Sequence, residues 1–515
     1  MRFVDLLNNA AWTATYRDAT LTPHSARRLV ERAASRLHHA ELAAQQALRA
    51  ATGAAVPAPA HAPAAAPAPA DSRQLTVFCA FTPLETLLCY CVASRLGLLA
   101  AVLSPRTLPR FLDDVGPGLA VRLVAPSGHK LPDAAASYGA LLLDLAPAIA
   151  DADADADDAP SDASSGPAPA PAQECRLVFS TSGTTGKPKR VLCAESRLIG
   201  NAAMVAGYLG LRASDRTLCT FPAHFMYGLS TSLCTLLTGG HIEYCDFLHS
   251  GLLASKVVER GITVLPVIGD WADGLSERWR QLGHVPQRLL LLNASDRLTR
   301  RQAETLLPHA SALWNNFGQT ESGPRMFAVN LSQIDDLGSV TYFGTIAPGF
   351  PAFDALQLRI AGDDADGCGE LSYRTPYAML GYLNDDGSIA PAPEWIASGD
   401  LFRRAANGAY LWAGRAAHTI KVNGQFVSLR ALADDLLTYQ TVTGVGYARG
   451  HVDELYLFVE AEQPASDLGA QLRRVVARTL RGKYSDIRIV PALPRTESGK
   501  IDFKQLTLTL AKELA

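Results

Sequence analysis

Residues 180–190 read STSGTTGKPKR. Hydroxyls and glycines alternate, and two lysines then bracket a proline. Gly183 and Gly186 let such a loop bend tightly, so that backbone N–H groups and hydroxyls converge on phosphate oxygens, with Lys187 and Lys189 adding positive charge. The preceding run Cys175–Phe179, CRLVF, reads as a short buried strand. A strand feeding a Gly-rich turn is the usual setting of a nucleotide phosphate site. The loop is not a Walker A motif: Thr181 stands where the first glycine is required, and Pro188 where Ser or Thr follows the lysine. The plainer alternative is a surface loop of turn formers.

Outward from this loop, the 515-residue length calls for a large domain plus a smaller one. A hydrophobic share of 48% is ample for globular folding. The net charge of −3 gives no basis for a nucleic acid or anionic membrane as partner. Nine cysteines without C-x-x-C spacing read as reduced, buried thiols. The start, MRFVDLLNNAAW, lacks a cationic stretch followed by an apolar core, so no signal peptide is expected. The apolar stretch Leu84–Leu103 is broken by Glu85, Arg95 and Gly97 and reads as a buried helix followed by a strand, not a membrane span. The expectation is a cytoplasmic protein.

Residues 1–49 read as mostly helical, with start signals at Thr22–Ser25. Ala50–Asp71 is nearly pure Ala and Pro, and Asp151–Ala172 mixes an Asp/Ala repeat with Ser, Gly and Pro. Neither can bury a core, so both read as solvated insertions, near 50–71 and 151–172. Between and after them, strand-like runs alternate with helical ones: Leu75–Ala80, Val121–Ala125, Thr217–Phe221, His241–Cys245, Ile262–Val267 and Arg288–Asn293. That alternation argues for an α/β sheet domain covered by helices. Beyond Gly338 strands and turns dominate, and from Ala416 the chain reads as a compact α+β unit.

Four further phrases carry chemistry. In Trp314–Gly323, WNNFGQTESG, a strand runs into Gly318, and Thr320 and Glu321 offer hard oxygen ligands suited to Mg²⁺ on ATP phosphates. The same pair could simply start a helix. In Trp395–Arg404, WIASGDLFRR, the Asp400 carboxylate can accept from vicinal ribose hydroxyls, or merely stabilise its own turn. In Leu493–Asp502, LPRTESGKID, a Gly-Lys loop can deliver the charge of Lys500 to a distant site. In Phe221–Gly228, FPAHFMYG, His224 is either a group near a bound carboxylate or a packed histidine.

Together these phrases closely resemble the adenylate-forming superfamily: acyl- and aryl-CoA synthetases, carrier-loading adenylation enzymes and luciferase. The resemblance runs from about Thr15 to Leu506, apart from the two insertions. It implies an α/β fold with a large multi-sheet N-terminal domain, residues 1–415, and a small mobile α+β C-terminal lid, residues 416–515. It implies ATP and Mg²⁺, with coenzyme A or a carrier's phosphopantetheine arm as thiol. In the family's terms Thr181, Ser182, Gly183, Thr184, Thr185, Gly186, Lys187 and Lys189 hold phosphate, and Thr184 joins Glu321 at the metal. Asn316, Phe317 and Gly318 lie by the nucleotide, with Phe317 against adenine, and Thr320 meets the phosphate. Asp400 and Arg415 take the ribose, and Gly424 lets pantetheine pass close to backbone. Lys500 screens the substrate carboxylate from the ATP phosphates, which makes Lys500, Thr184, Glu321 and His224 the expected catalytic set. The chain departs from the family at Arg190 (usually Gly), Phe317 (usually Tyr), Ala417 (usually the hinge Asp, here followed by His418) and Asn293–Asp296 (usually a Gly-rich turn).

The expectation is therefore ATP-dependent activation of a fatty or aromatic carboxylic acid to an acyl-adenylate, followed by transfer to coenzyme A. Relatives that activate amino acids carry an Asp near Phe221–Gly228 to hold the α-ammonium, and this phrase has none. Two alternatives stay open: transfer to a separate acyl or peptidyl carrier protein, and a non-catalytic nucleotide-binding homologue.

Overall fold

The computed structural model describes residues 1–8, 11–52, 74–115, 118–143, 145, 171, 173–181, 188–246, 249–294, 298–334, 356–361, 367–404, 410–416, 419–422, 425–437, 439, 441–449, 455–461, 467–481, 484, 486–495 and 501–514. Most of both insertions lies outside these residues. The chain forms two compact units, one from residues 1–183, 187–357 and 374–396, the other from 358–373 and 397–515.

The first unit is built on two eight-stranded mixed sheets. In one, the strand order is Gly323–Asn330, Ala312–Gln319, Leu290–Asn293, Val264–Val267, Arg216–Cys219, His241–Tyr244, Thr13–Tyr16, Ala19–Leu21. Its inner strands are parallel and nearly all apolar, as sheets covered on both faces require. Leu253, Leu265, Leu275, Trp279, Leu291 and Leu313 pack as one cluster beneath them. In the other sheet, the Arg176–Thr181 strand lies between Leu99–Leu103, to which it is parallel, and Lys189–Ala194, to which it is antiparallel. The alternation of strand and helix expected across residues 75–316 is observed, with ends shifted by one or two residues.

Phe3–Asn8 is a 3-10 helix, but Thr13–Leu21 departs from the helical expectation. Thr13–Tyr16 alternates β-branched and small residues and extends the first sheet beside His241–Tyr244. Arg17, at φ +53°, turns the chain back into Ala19–Leu21. The helix begins only at Pro23. The buried Glu195 carboxylate fixes the N-terminus. It accepts from Phe3 N at 2.9 Å, Cys175 N at 3.1 Å and Ser94 Oγ at 2.5 Å, and pairs with Arg2 at 3.1 Å. All nine cysteines are free thiols and eight are buried, as read from their spacing.

Arg190 is explained by packing. It follows the phosphate loop on the Lys189–Ala194 strand and is buried. Its Nε donates to Leu383 O at 3.2 Å, its Nη1 to Asp114 O at 2.9 Å, and its Nη2 pairs with Asp385. One guanidinium thus ties the strand to the end of the Leu108–Asp114 helix and to the turn after Gly381–Leu383. Arg190→Ala would remove the donor that Leu383 O and Asp114 O share, while the half-exposed Asp385 stays solvated. We expect it to lower stability by about 1–3 kcal/mol, read as a shift in the denaturant midpoint.

The second unit holds a four-stranded sheet (Gln357–Ala361, Cys368–Arg374, Ile396–Arg404, Tyr410–Arg415) and a two-stranded hairpin, Thr419–Val422 with Gln425–Ser428. It also holds a three-stranded sheet of Val442–Arg449, Leu455–Ala461 and Asp486–Val490. The Leu429–Leu436 and Leu468–Leu480 helices pack on this last sheet through Leu432, Leu436, Leu472 and Val476. No helix among the described residues is long and apolar enough to cross a membrane.

Candidate functional site

The strands on either side of residues 182–187 form a β-hairpin. Arg176–Thr181 and Lys189–Ala194 run antiparallel, and Thr181 opposite Lys189 is the last pair before the loop. Ser182, Gly183, Thr184, Thr185, Gly186 and Lys187 lie outside the described residues. What surrounds the hairpin mouth is described. The Gly381–Leu383 strand pairs with the outer hairpin strand, setting Tyr382 opposite Val191. There the Lys189 ammonium lies 5.1 Å from the centre of the Tyr382 ring, a cation–π distance. The Tyr382 hydroxyl donates to Glu321 Oε1 at 3.4 Å. Lysine, phenol and carboxylate are thereby strung together beside the loop.

Sequence reading passed over Tyr382; the phrase Gly381–Asn384 carries too little pattern to single it out. Burial, reinforced by Glu321, pushes its phenol up to about 12. It therefore remains a donor to the carboxylate throughout the neutral range. Removing that donor frees the orientation of Glu321. For Tyr382→Phe we expect the Mg²⁺ concentration giving half-maximal ATP turnover to rise about tenfold, read by titrating the metal at saturating ATP.

Glu321 is placed by strand and turn geometry. Ala312–Gln319 ends in a single 3-10 turn, Thr320–Ser322, and the chain returns antiparallel as Gly323–Asn330. Ser322 Oγ donates to Gln319 O and accepts from Gln319 N, each at 3.0 Å, which locks the turn. A single 3-10 turn does start at Thr320, capped by Gln319, and no longer helix follows it. A Cβ at Gly318 would lie 2.2 Å from Pro324 O, so this position admits only glycine. Thr320 and Glu321 stay half-buried at the strand's C-terminal end. Asn293 ends the Leu290–Asn293 strand, Asn316 lies in Ala312–Gln319 one residue past its parallel pairing, and Phe221 lies two residues beyond Arg216–Cys219. Ligands of parallel sheets sit at the C-terminal ends of the strands.

Asn316 is buried, and its side chain is engaged in the protein. Its oxygen accepts from Tyr208 at 2.5 Å and its nitrogen donates to Asn293 O at 3.0 Å. Asn293 Nδ2 in turn donates to Asn315 Oδ1 at 2.8 Å. These asparagines build the wall that carries Phe317–Glu321, which gives the departure at Asn293 a structural use. Phe317 is half-buried against Phe327, their ring centres 5.7 Å apart.

Among the described residues, no cluster of three or more His, Cys, Asp and Glu converges on a metal position. One carboxylate linked through Tyr382 to Lys189 fits Mg²⁺, which keeps several waters and takes its remaining ligands from phosphate oxygens. Glu321 is the described residue placed to supply that carboxylate.

The expected ribose pair meets in the second unit. Asp400 and Arg415 are cross-strand partners, with Arg415 Nε 3.1 Å from Asp400 Oδ1. Trp412 Nε1 donates to the same oxygen at 2.9 Å, a partner that sequence reading missed. Gly399, at φ +69°, turns the chain just before Asp400, and its N–H donates to Glu370 Oε1 at 2.9 Å. Glu370 thus supports the Gly399–Asp400 turn. Asp400 is almost fully buried and held in one orientation. Ala417, His418, Gly424 and Lys500 lie outside the described residues.

His224 lies between the Arg216–Cys219 strand and the Met226–Leu237 helix, its ring tilted against Phe225 at 4.4 Å. Its Nε2 is buried without a hydrogen-bond partner, and burial pulls the imidazole down to about 4. It is therefore neutral at neutral pH and able to accept or donate one hydrogen bond without carrying charge. Gly228, at the start of that helix, is crowded by Pro222 O, 2.3 Å from where a Cβ would stand.

Residues 95–383, more than half of the chain, match the family model described as AMP-binding enzyme. Among curated proteins the chain is 27% identical over 354 residues to indoleacetate–CoA ligase of Aromatoleum aromaticum, covering 64% of this chain and 67% of the relative. It is 26% identical over 348 residues to sulfoacetate–CoA ligase of Cupriavidus necator, covering 63% and 65%. The matches therefore span about two thirds of those relatives' own lengths. Among solved structures, O-succinylbenzoate coenzyme A synthetase from Bacillus subtilis in complex with AMP superposes with a TM-score of 0.68 at 17% identity, covering 97% of both chains. That synthetase has also been solved with ATP and magnesium ion.

Proposed function

Because the chain belongs to the AMP-binding enzyme family, we propose that it is an AMP-forming acid–thiol ligase. A carboxylate oxygen attacks the α-phosphorus of ATP, pyrophosphate leaves, and an acyl-adenylate forms. A thiol then attacks the acyl carbonyl, and AMP leaves. The observation that carries this reading is the convergence of the Thr181–Lys189 hairpin, Tyr382 and Glu321 at one edge.

The residues have distinct tasks in this scheme. The loop 182–187 and Lys189 hold the phosphates. Glu321, kept in place by Tyr382, takes Mg²⁺, which when bound neutralises phosphate charge. Phe317 offers an apolar face to adenine. Asp400, fixed by Arg415 and Trp412, accepts from the ribose hydroxyls. Neutral His224 borders the acid. Lys500, on the lid assigned to residues 416–515, holds the carboxylate against the α-phosphate. No protein nucleophile is needed; positioning and charge neutralisation account for the rate.

The acid is aromatic or otherwise without an α-amine. The ligases reported above are named for indoleacetate, sulfoacetate and succinylbenzoate, and no aspartate marks an ammonium site in Phe221–Gly228. Coenzyme A is the favoured thiol because those relatives are CoA ligases. The working compartment is taken to be the cytoplasm. The test is mass spectrometry of reactions containing ATP, Mg²⁺, an aryl acid panel and coenzyme A. Acyl-CoA formed one-for-one with AMP supports the proposal. Adenylate that loads only a phosphopantetheinylated carrier moves the acceptor to the carrier. Neither product with any acid rejects the reading.

A further inference from the structure

Arg325 occupies an unusual place for an arginine. It follows the Thr320–Ser322 turn on Gly323–Asn330 and is 1% exposed. Among the described residues it forms no ion pair. Its Nη2 donates to Thr231 Oγ1 at 3.4 Å, and its guanidinium carbon lies 5.3 Å from the centre of the Tyr227 ring. Its Nε and Nη1 are buried and have no hydrogen-bond partner. The titratable groups that act on it are Tyr208, whose hydroxyl is also in hydrogen-bond contact with the guanidinium, Tyr227 and Cys234, all buried, with ionisations that burial pushes upward. They are neutral at neutral pH. The guanidinium thus carries a whole positive charge into the interior, where an uncompensated charge is strongly unfavourable.

The neighbours locate that charge. Tyr227 and Thr231 fall on one face of the Met226–Leu237 helix, at i and i+4, together with Ser230, whose buried Oγ has only the weak Cys234 thiol beside it. The Tyr227 hydroxyl donates to Leu292 O at 2.6 Å, at the C-terminal end of Leu290–Asn293. Asn201 Nδ2 donates to Arg325 O at 2.9 Å. Arg325 therefore stands on the strand that pairs with Ala312–Gln319, against the helix that begins two residues after His224. Nε and Nη1, on either side of the engaged Nη2, keep N–H groups free to donate to an oxygen.

We propose that Arg325, with Ser230, anchors a second oxygen group on the substrate acid, anionic or a strong hydrogen-bond acceptor, remote from the carboxylate that is activated. The inference rests on the acid-activating reading above and narrows its substrate class to acids bearing a distal carboxylate, sulfonate or aryl oxygen. Such a group neutralises the buried charge and fills donor positions that an unsubstituted acid leaves empty. A site built to pair with a polar group discriminates strongly against a ligand that lacks it.

The test is acid-dependent ATP–pyrophosphate exchange with matched pairs: benzoate against 3-hydroxybenzoate and isophthalate, and hexanoate against adipate. The wild-type protein is expected to favour the oxygen-bearing member of at least one pair by about 100-fold in kcat/KM. Isophthalate or adipate leading identifies an anion; 3-hydroxybenzoate leading identifies a neutral acceptor. In Arg325→Met the ratio is expected to fall to within about threefold, mainly through KM for the substituted acid, while Arg325→Lys keeps part of it. Wild-type exchange without preference overturns the inference whatever the variants do. So does an Arg325→Met variant, folded by circular dichroism, that loses all acids in equal proportion. Absence of exchange with every acid overturns the acid-activating reading, and this inference with it.

Discussion

Lys500→Ala is expected to slow acyl-adenylate formation by about 10²–10³-fold while leaving thioester formation from a supplied adenylate nearly intact. The physical reason is the meeting of two anions. A carboxylate must approach the α-phosphate of ATP, and charge accumulates on the phosphate oxygens in the transition state. One lysine against both removes the repulsion and stabilises the developing charge. In the second half the acyl group is already bonded to AMP, so that repulsion is gone. Single-turnover measurements of each half, with chemically prepared acyl-AMP for the second, separate the two effects. Equal loss in both halves would assign Lys500 to folding or to AMP binding instead.

Glu321→Gln is expected to remove about 10²–10³-fold of ATP turnover, with the loss relieved only in part by raised Mg²⁺. The substitution keeps the size and the Tyr382 contact but removes the charge that a divalent cation requires. Glu321 is the described carboxylate beside the phosphate hairpin, and the Thr320–Ser322 turn offers no second acid to replace it. ATP binding by itself should weaken less than turnover, because Lys189 and the loop remain. Measuring nucleotide affinity and turnover on the same preparation distinguishes a metal role from a general loss of the site. Parallel loss of both would contradict it.

Much of this architecture was legible because it is local. Apolar runs such as Leu290–Asn293 and Val264–Val267 announce buried parallel strands, and glycines mark the turns that feed the site. The strand pair Asp400–Arg415 brings together two residues that the sequence motifs had singled out separately. What remained hidden depends on distant partners. Arg190 reads as an anomaly in a phosphate loop until its partners at Asp114, Leu383 and Asp385 are seen. Tyr382 matters only because strand pairing sets it between Lys189 and Glu321. Trp412 is an ordinary aromatic until it donates to Asp400. Arg325, four residues past Glu321, gives no sequence sign that its chain neighbours bury it without a counter-charge. The N-terminal strands were masked by a helix-rich context, since four residues of β character carry little weight beside a thirty-residue helix.

The measurement that tests the central claim most directly is acid-dependent exchange of labelled pyrophosphate into ATP by the wild-type protein, with Glu321→Gln and Lys500→Ala alongside. The account predicts exchange that requires an added carboxylic acid and Mg²⁺ and falls sharply in both variants. Measurable ATP binding with no exchange for any fatty, aryl or amino acid would contradict it and leave a nucleotide-binding homologue without catalysis.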